Sequence, residues 1–369
     1  MNVLSETASN GNHLRMVRSV PRTLARRRQP RRTWRIPTRC YGFVVDPLTL
    51  DALDRQLAHA LQVDGRAPFS QIAAVLGTSD RTIARRYRRL RSAGALRVVG
   101  LPHAAALGHV DWLVRMRCTP DAAVPVAAAL ARRADTSWVT LLSGGTEINC
   151  ITRTRAHADE SELLLQKLPR TPRVTAVTAH CVLRAVAGTS GWPGRTAALD
   201  PDQVAALSPE PEAATPPGEP VTLSTADNQL LTALAKDGRA SNPALAAATG
   251  WSETTVRRRI EQLRRGNVIY FDVDVEPALF GHTAEAALWL TVAPAALTAV
   301  SRALAAHPQI GYAAAITGPA NIAGSVICRD LDELYEYLAD GIGSLDGVSR
   351  AETAPIVRRV KGAGTLLVP

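Results

Sequence analysis

Arginine is the most concentrated chemistry in this chain. Ser79 to Gly94 reads SDRTIARRYRRLRSAG, with Arg81, Arg85, Arg86, Arg88, Arg89 and Arg91 against one acid, Asp80. Guanidinium forks match phosphate oxygens and the O6/N7 edge of guanine. Intrahelical ion pairs would need acids at i±4, and the run lacks them, so it reads as a surface for an anionic partner. Ser252 to Asn267 (SETTVRRRIEQLRRGN) repeats the pattern with Arg257, Arg258, Arg259, Arg264 and Arg265. Elsewhere the reactive side chains are scattered. His59, His103, His109, His157, His180, His282 and His307 show no metal-ligand spacing with one another or with cysteine. His109 and His282 fall at matching positions and read as packing residues at element ends. No P-loop, dinucleotide fingerprint or nucleophile elbow is present. The expectation is therefore no catalytic residue, no metal and no cofactor.

The elements that must carry the arginines follow from spacing. Ser79 is placed to cap a helix whose Ile83, Tyr87 and Leu90 share one face, and Gly94 ends it. Thr49 to Val63 and Phe69 to Leu76 precede it as helices, with Gly77-Thr78 as the tight turn. A short helix, a glycine-containing turn and a capped basic helix make a helix-turn-helix. Leu96 to Gly100 follows as a wing-like strand. The second copy has the same order: Thr225 to Lys236, Asn242 to Ala248, Gly250-Trp251, Ser252 to Gly266, then a strand at Val268 to Val273. Asp54-Arg-Gln-Leu57 matches Asp227-Asn-Gln-Leu230, Asp64-Gly-Arg-Ala67 matches Asp237-Gly-Arg-Ala240, and Leu107-Gly-His109 matches Phe280-Gly-His282, always 173 positions apart. A single offset marks an internal duplication.

After each helix-turn-helix comes a βαββαβ pattern. In the first copy the strands are Trp112 to Cys118, Trp138 to Leu142, Ile148 to Thr152 and Val174 to Val186, with helices at Ala122 to Arg133 and Asp159 to Leu168. In the second they are Ala286 to Val292, Gly311 to Ile316, Ile322 to Cys328 and Ser349 to Val360, with helices at Pro294 to Ala306 and Leu331 to Ala339. This predicts an α+β chain: two winged helix-turn-helix units, each followed by a ferredoxin-like four-stranded sheet with helices on one face. The other sheet face needs cover, and pairing of the two copies within one chain supplies it. The predicted division is 1–45 a basic tail, 46–100 and 223–273 the helix-turn-helix units, and 101–188 and 274–362 the α/β modules. Residues 189–222, rich in Pro, Ala and Gly, form a linker without apolar periodicity.

The net charge of +10 over 369 residues is not a whole-molecule signal. Ten arginines against Glu6 in the first 45 residues account for +9 of it, so the case for nucleic acid rests on the local patches. That tail lacks the apolar run of a secretory signal. Five cysteines without CxxC read as reduced thiols of a cytoplasmic protein, and no stretch of eighteen apolar residues exists.

Each half resembles the Lrp/AsnC (leucine-responsive, feast/famine) regulators. The carrying residues are DGRA, LGTSDRTIARRYRRLRSAGAL or TGWSETTVRRRIEQLRRGNVI, LGH or FGH, and the βαββαβ module, called a RAM domain in that family. The resemblance spans Leu48 to Gly362 as a tandem form. It implies a sequence-specific transcriptional regulator that binds double-stranded DNA, responds to an amino-acid-like effector and assembles into homo-oligomers of pseudo-dimeric chains. Ser79, Arg81, Thr82, Arg85, Arg86 and Arg89 of the first copy, and Ser252, Thr254, Thr255, Arg258, Arg259 and Arg264 of the second, are the expected DNA-binding residues. Thr82, Arg86, Thr255 and Arg259 are placed on bases, and Arg81, Arg85, Arg89, Arg258 and Arg264 on phosphates. The family's effector loop maps to Gly144 and Glu147, and to Gly318 and Asn321, with Glu147 and Asn321 where the family pattern has Asp. An alternative in another class is a sirohaem-decarboxylase-like enzyme, since such enzymes resemble the family and can be fused pairs. A third is an architectural DNA binder without an effector.

Overall fold

The computed structural model describes residues 49–155, 173–188, 198–208 and 221–363. The expected tail at 1–45 and the helix expected over 159–168 lie outside the described residues.

The first helix-turn-helix is α1 (Ala52–Val63), α2 (Phe69–Val75) and α3 (Asp80–Ser92). Asp51 caps α1 and exchanges bonds with Asp54, a reciprocal box that satisfies two orphan donors. Ser79 caps α3 by accepting from the Thr82 N–H at 3.2 Å. β1 (Leu96–Pro102) follows. The first module comprises β2 (His109–Cys118), α4 (Ala123–Ala131), β3 (Thr136–Leu142), β4 (Glu147–Arg155) and β5 (Val174–Ala187).

The linker departs from expectation. Pro201–Leu207 is a helix, α5, with Asp200 and Gln203 forming a capping box and Leu207 buried. It docks on the first helix-turn-helix. Gln71 Nε2 donates to the Ala206 carbonyl at 3.1 Å, and His59 Nδ1 accepts from the N–H groups of Ala198 and Leu199 at 3.2 and 3.1 Å.

The second copy holds α6 (Thr225–Lys236), α7 (Asn242–Thr249), α8 (Glu253–Arg265) and β6 (Ile269–Val275). Its module is β7 (Ala284–Val292), α9 (Leu297–Ala306), β8 (Ile310–Ile316), β9 (Ile322–Cys328), α10 (Leu331–Glu336) and β10 (Val348–Arg359). A π-helical turn over Tyr337–Ile342 extends α10.

The two copies are interlocked. β1 and β6 pair with each other as an antiparallel ribbon, Leu96 opposite Val275 and Pro102 opposite Ile269. Both helix-turn-helix units share one core, in which Leu57, Ile72 and Ile83 pack in the same cluster as Leu230, Leu245 and Ile260. The modules close into one eight-stranded barrel, order β10-β3-β4-β2-β5-β8-β9-β7. Closure comes from the two long strands. β5 pairs with β2 (Trp112 opposite Cys181) and then runs on to β8 (Val182 opposite Ile316). β10 pairs with β7 and then with β3 (Ile356 opposite Leu142). Each sheet edge is thus paired by the other copy, which removes the open ladders that a separate module would expose. Alternation then sorts the side chains: Val114, Met116, Ile148 and Cys150 face outward under α4, while Leu113, Leu142, Trp289 and Ile316 face into the barrel.

Candidate nucleic-acid interface

The DGRA turns hold the two reading units against each other. Arg66 donates to the Gly238 carbonyl at 2.7 Å, and Arg239 donates to that of Gly65 at 2.7 Å. Gly238 abuts the β1 backbone so closely that a Cβ would lie 2.9 Å from the Val99 carbonyl carbon, hence glycine. The Arg239 guanidinium stacks over Phe69 at 4.3 Å, and Arg91 meets Asp237 at 2.9 Å. Arg264 meets Asp64 at 3.3 Å, the reciprocal contact. These bonds bridge the copies and fix the recognition helices α3 and α8 relative to one another.

The arginines of α3 and α8 divide into two sets. Arg86 points inward, with its Nη1 2.7 Å from Asp51 and 2.9 Å from the fully buried Asp54. Arg89 also reaches Asp54. In the second copy Arg259 grips Asp227 with both Nε (2.7 Å) and Nη2 (3.0 Å). Burial raises the Asp227 pKa, but bonds from Arg259 and Ser224 outweigh it and hold the carboxyl below the ordinary 3.8. The sequence expectation puts Arg86 and Arg259 on bases, and Arg89 and Arg264 on phosphates. All four instead hold carboxylates of their own fold. The acid partners come from helices before the arginine run or from the other copy, so a search for acids within the arginine helix misses them. A signal exists, since Asp54 and Asp227 open the repeated D-x-Q-L.

The second set is free. Arg81, Arg85, Arg257 and Arg258 are exposed and make no ion pair among the described residues. Arg257 is an addition to the expected contacts. Ser79 and Ser252 are the caps, and their hydroxyls lie 2.9 Å from Thr82 Oγ1 and 2.8 Å from Thr255 Oγ1, so Thr82 and Thr255 are drawn into the caps. Thr254, also 2.9 Å from the Ser252 hydroxyl, is exposed at the front of α8. Each helix N-terminus therefore offers a positive dipole end flanked by unpaired guanidinium groups, an arrangement that suits phosphate oxygens.

The expected effector loops do not form one site. Glu147 is buried and accepts from Arg115 at 2.8 Å and from Arg117 at 3.2 Å. The Asn321 side chain bonds both main-chain groups of Val292, at 2.9 and 2.7 Å. Gly144 sits in a turn with φ +72°, and Gly318, with φ +113°, faces the His180 ring. Glycine is needed at both for backbone reasons.

A cavity of about 1350 Å³ lies elsewhere, inside the barrel and under the β1–β6 ribbon. Trp138, Trp289, Tyr270 and Tyr312 stand in its wall, and Leu231 and Thr232 of α6 close one side. Arg153 ties the ribbon to the barrel: it pairs with Asp111 at 2.7 and 3.0 Å and donates to the Pro102 carbonyl at 3.2 Å.

An AsnC-type helix-turn-helix model matches residues 50–91 and again 224–264, and a model of the Lrp/AsnC ligand-binding domain matches 285–366. An uncharacterised HTH-type transcriptional regulator of Pyrococcus abyssi is 31% identical over 145 residues, which are 39% of this chain and 91% of the relative. This chain belongs to the Lrp/AsnC family. The regulator LrpA of the same organism is 26% identical over 37% of this chain and 96% of its own length. Family members of this size cover about two fifths of the chain, as a duplication requires. Among solved structures, the siroheme decarboxylase NirDL aligns over 86% of this chain and 94% of its own, with TM-score 0.56 and 14% identity. That likeness shows the tandem fold. Among the described residues no helix is long and apolar enough to cross a membrane, and no group of three or more His, Cys, Asp or Glu could hold a metal ion.

Proposed function

We propose that this chain is a cytoplasmic DNA-binding transcriptional regulator in which one polypeptide supplies two unlike reading heads, responds to a small molecule and assembles into homo-oligomers. The observation that carries this reading is the outward set of unpaired arginines at the front of two helices whose mutual placement is locked. Arg81 and Arg85 serve the first head. Arg257, Arg258 and Thr254 serve the second. Ser79 and Ser252 present helix N-termini to phosphates. The domain division follows: 46–100 and 223–273 read DNA, while 101–188 and 274–362 hold the heads in place and sense the effector. Gel shifts at graded salt test it. In the double variant Arg85→Ala, Arg258→Ala, each arginine that reads a base should cost about 1–3 kcal/mol of binding, and each that holds a phosphate should lower the salt slope by about 1. Unchanged affinity and slope would remove DNA binding by these helices.

A decarboxylase-like reading has one observation in its favour, a large cavity in a chain that shares NirDL's tandem fold. The charges count against it. Along that cavity the cations Arg153, Arg155, Arg184, Arg359 and Lys361 are balanced by the acids Asp111, Asp135, Asp272, Asp274 and Glu285, so no surplus positive charge greets a polycarboxylate. An absorbance scan of the protein mixed with sirohaem should show no shifted band.

A further inference from the structure

We infer that the barrel cavity is the effector site, and that it takes a planar aromatic molecule without net charge, carrying hydrogen-bond donors as well as acceptors, larger than an amino acid. The inference deepens the regulator reading and rests on it for the word effector, but the binding claim stands on three separate observations.

The first is space. An eight-stranded barrel is just wide enough for its own side chains to fill. Here one part of the wall cannot fill it. Ala287 lies opposite Ser325, and Ala314 opposite Ala323, so small residues on β7, β8 and β9 form a contiguous patch on the inward face. The void of about 1350 Å³ exceeds the several hundred Å³ typical of drug-sized ligands, and a free amino acid would leave most of it empty.

The second is unmet hydrogen bonding. Arg359 Nε and Asn149 Oδ1 are buried without a partner among the described residues. Tyr270 and Tyr312 also line the void, and burial pushes both phenol pKa values well above 10, so both keep their protons. Buried polar groups are nearly always satisfied, so an unmet donor and an unmet acceptor call for an occupant that offers both. Trp138 adds strain: it sits in the wall with φ +50°, a conformation a bulky residue adopts only when its surroundings compel it.

The third is charge. Five cations (Arg153, Arg155, Arg184, Arg359 and Lys361) and five acids (Asp111, Asp135, Asp272, Asp274 and Glu285) line the cavity, and Arg153, Arg359 and Asp274 are ion-paired with Asp111, Glu285 and Arg97. The lining thus carries no net charge, and the indole rings of Trp138 and Trp289 in the wall suit a ring system without net charge. Because β1, β6 and α6 form part of the wall, occupancy bears directly on the elements that carry both heads.

The test uses Nile red, a neutral planar dye with a carbonyl acceptor, and the full chain without DNA. It can therefore fail while gel shifts succeed, or the reverse. Saturable binding of one dye per chain is expected, with enhanced dye emission and quenched tryptophan fluorescence. Ala323→Phe and Ala314→Phe, which fill the patch, should each weaken it at least tenfold with Tm retained. Tyr312→Phe, nearly isosteric, should weaken it by about fivefold if its hydroxyl donates. L-leucine and iron uroporphyrin should not displace the dye. Absence of saturable binding would overturn the inference. So would affinity unchanged in all three variants, or displacement by iron uroporphyrin at equal concentration.

Discussion

At the scale of the residue, the deciding contrast is between neighbours one position apart. Arg85 and Arg258 face outward, while Arg86 and Arg259 turn back to Asp54 and Asp227. Both copies make the same inward pair, so it belongs to the fold of the unit. Removing one member of a buried pair leaves a carboxylate without its counter-charge. Asp54 would keep Arg89 after loss of Arg86, whereas among the described residues Asp227 keeps just Ser224 after loss of Arg259. Arg259→Ala should therefore cost about 2–4 kcal/mol of stability, and Arg86→Ala less. Urea melts of the two variants check this, and equal or negligible losses would contradict it. The inward pairs are not legible from helix-local charge counting, because Asp51, Asp54 and Asp227 lie some thirty positions upstream of their partners. The caps Ser79 and Ser252 are legible, since a capping signature is confined to a few consecutive residues.

At the scale of the element, α5 is the part that breaks the internal symmetry. It packs on the first helix-turn-helix, and His59 fastens it by accepting two main-chain N–H groups at Nδ1. That role needs the unprotonated nitrogen, and burial lowers the His59 pKa from 6.5. With the folded value below the unfolded one, the stabilisation is present above pH 6.5 and is lost as the pH falls through the folded value. Hydrogen exchange at the Ala198 and Leu199 amides should accelerate below that range, and His59→Ala should abolish the pH step. A step that persists in the variant would assign it to another group. The helix escapes a sequence reading because it is short and set among Pro and Ala. Its signals are nonetheless there: Asp200 and Gln203 as a capping box, Pro201 in the first turn, and Val204 with Leu207 inward. Assigning β5 and β10 as last strands of separate sheets is incomplete for a different reason. Each is long enough, at 14 and 12 residues, to serve two sheets, and a pattern of alternation does not say which partner lies at the far end.

At the scale of the whole molecule, duplication has turned what would be two chains into one, and so has freed the heads to differ. Arg81 in the first copy stands where Thr254 stands in the second, and Ala84 where Arg257 stands. A guanidinium favours guanine or phosphate, while a hydroxyl discriminates far less. The shared helical core and the crossed DGRA contacts hold these unlike surfaces at one separation. Leu331 and Tyr335 project exposed from α10, on a module surface away from that core, and suit contact between chains. Sedimentation should show assemblies that Tyr335→Asp reduces in size, and an unchanged distribution would exclude that face.

The central claim is that one chain reads DNA with two different heads at fixed spacing. Selection of binding sites from a random DNA pool by the purified full chain tests it most directly. The expected outcome is enrichment of sites with two unlike half-sites, about one helical turn or a multiple of it apart, in which Arg81→Ala relaxes one half and Arg257→Ala the other. Failure to enrich any sequence, or recovery of a perfect inverted repeat whose halves respond equally to both substitutions, would contradict it.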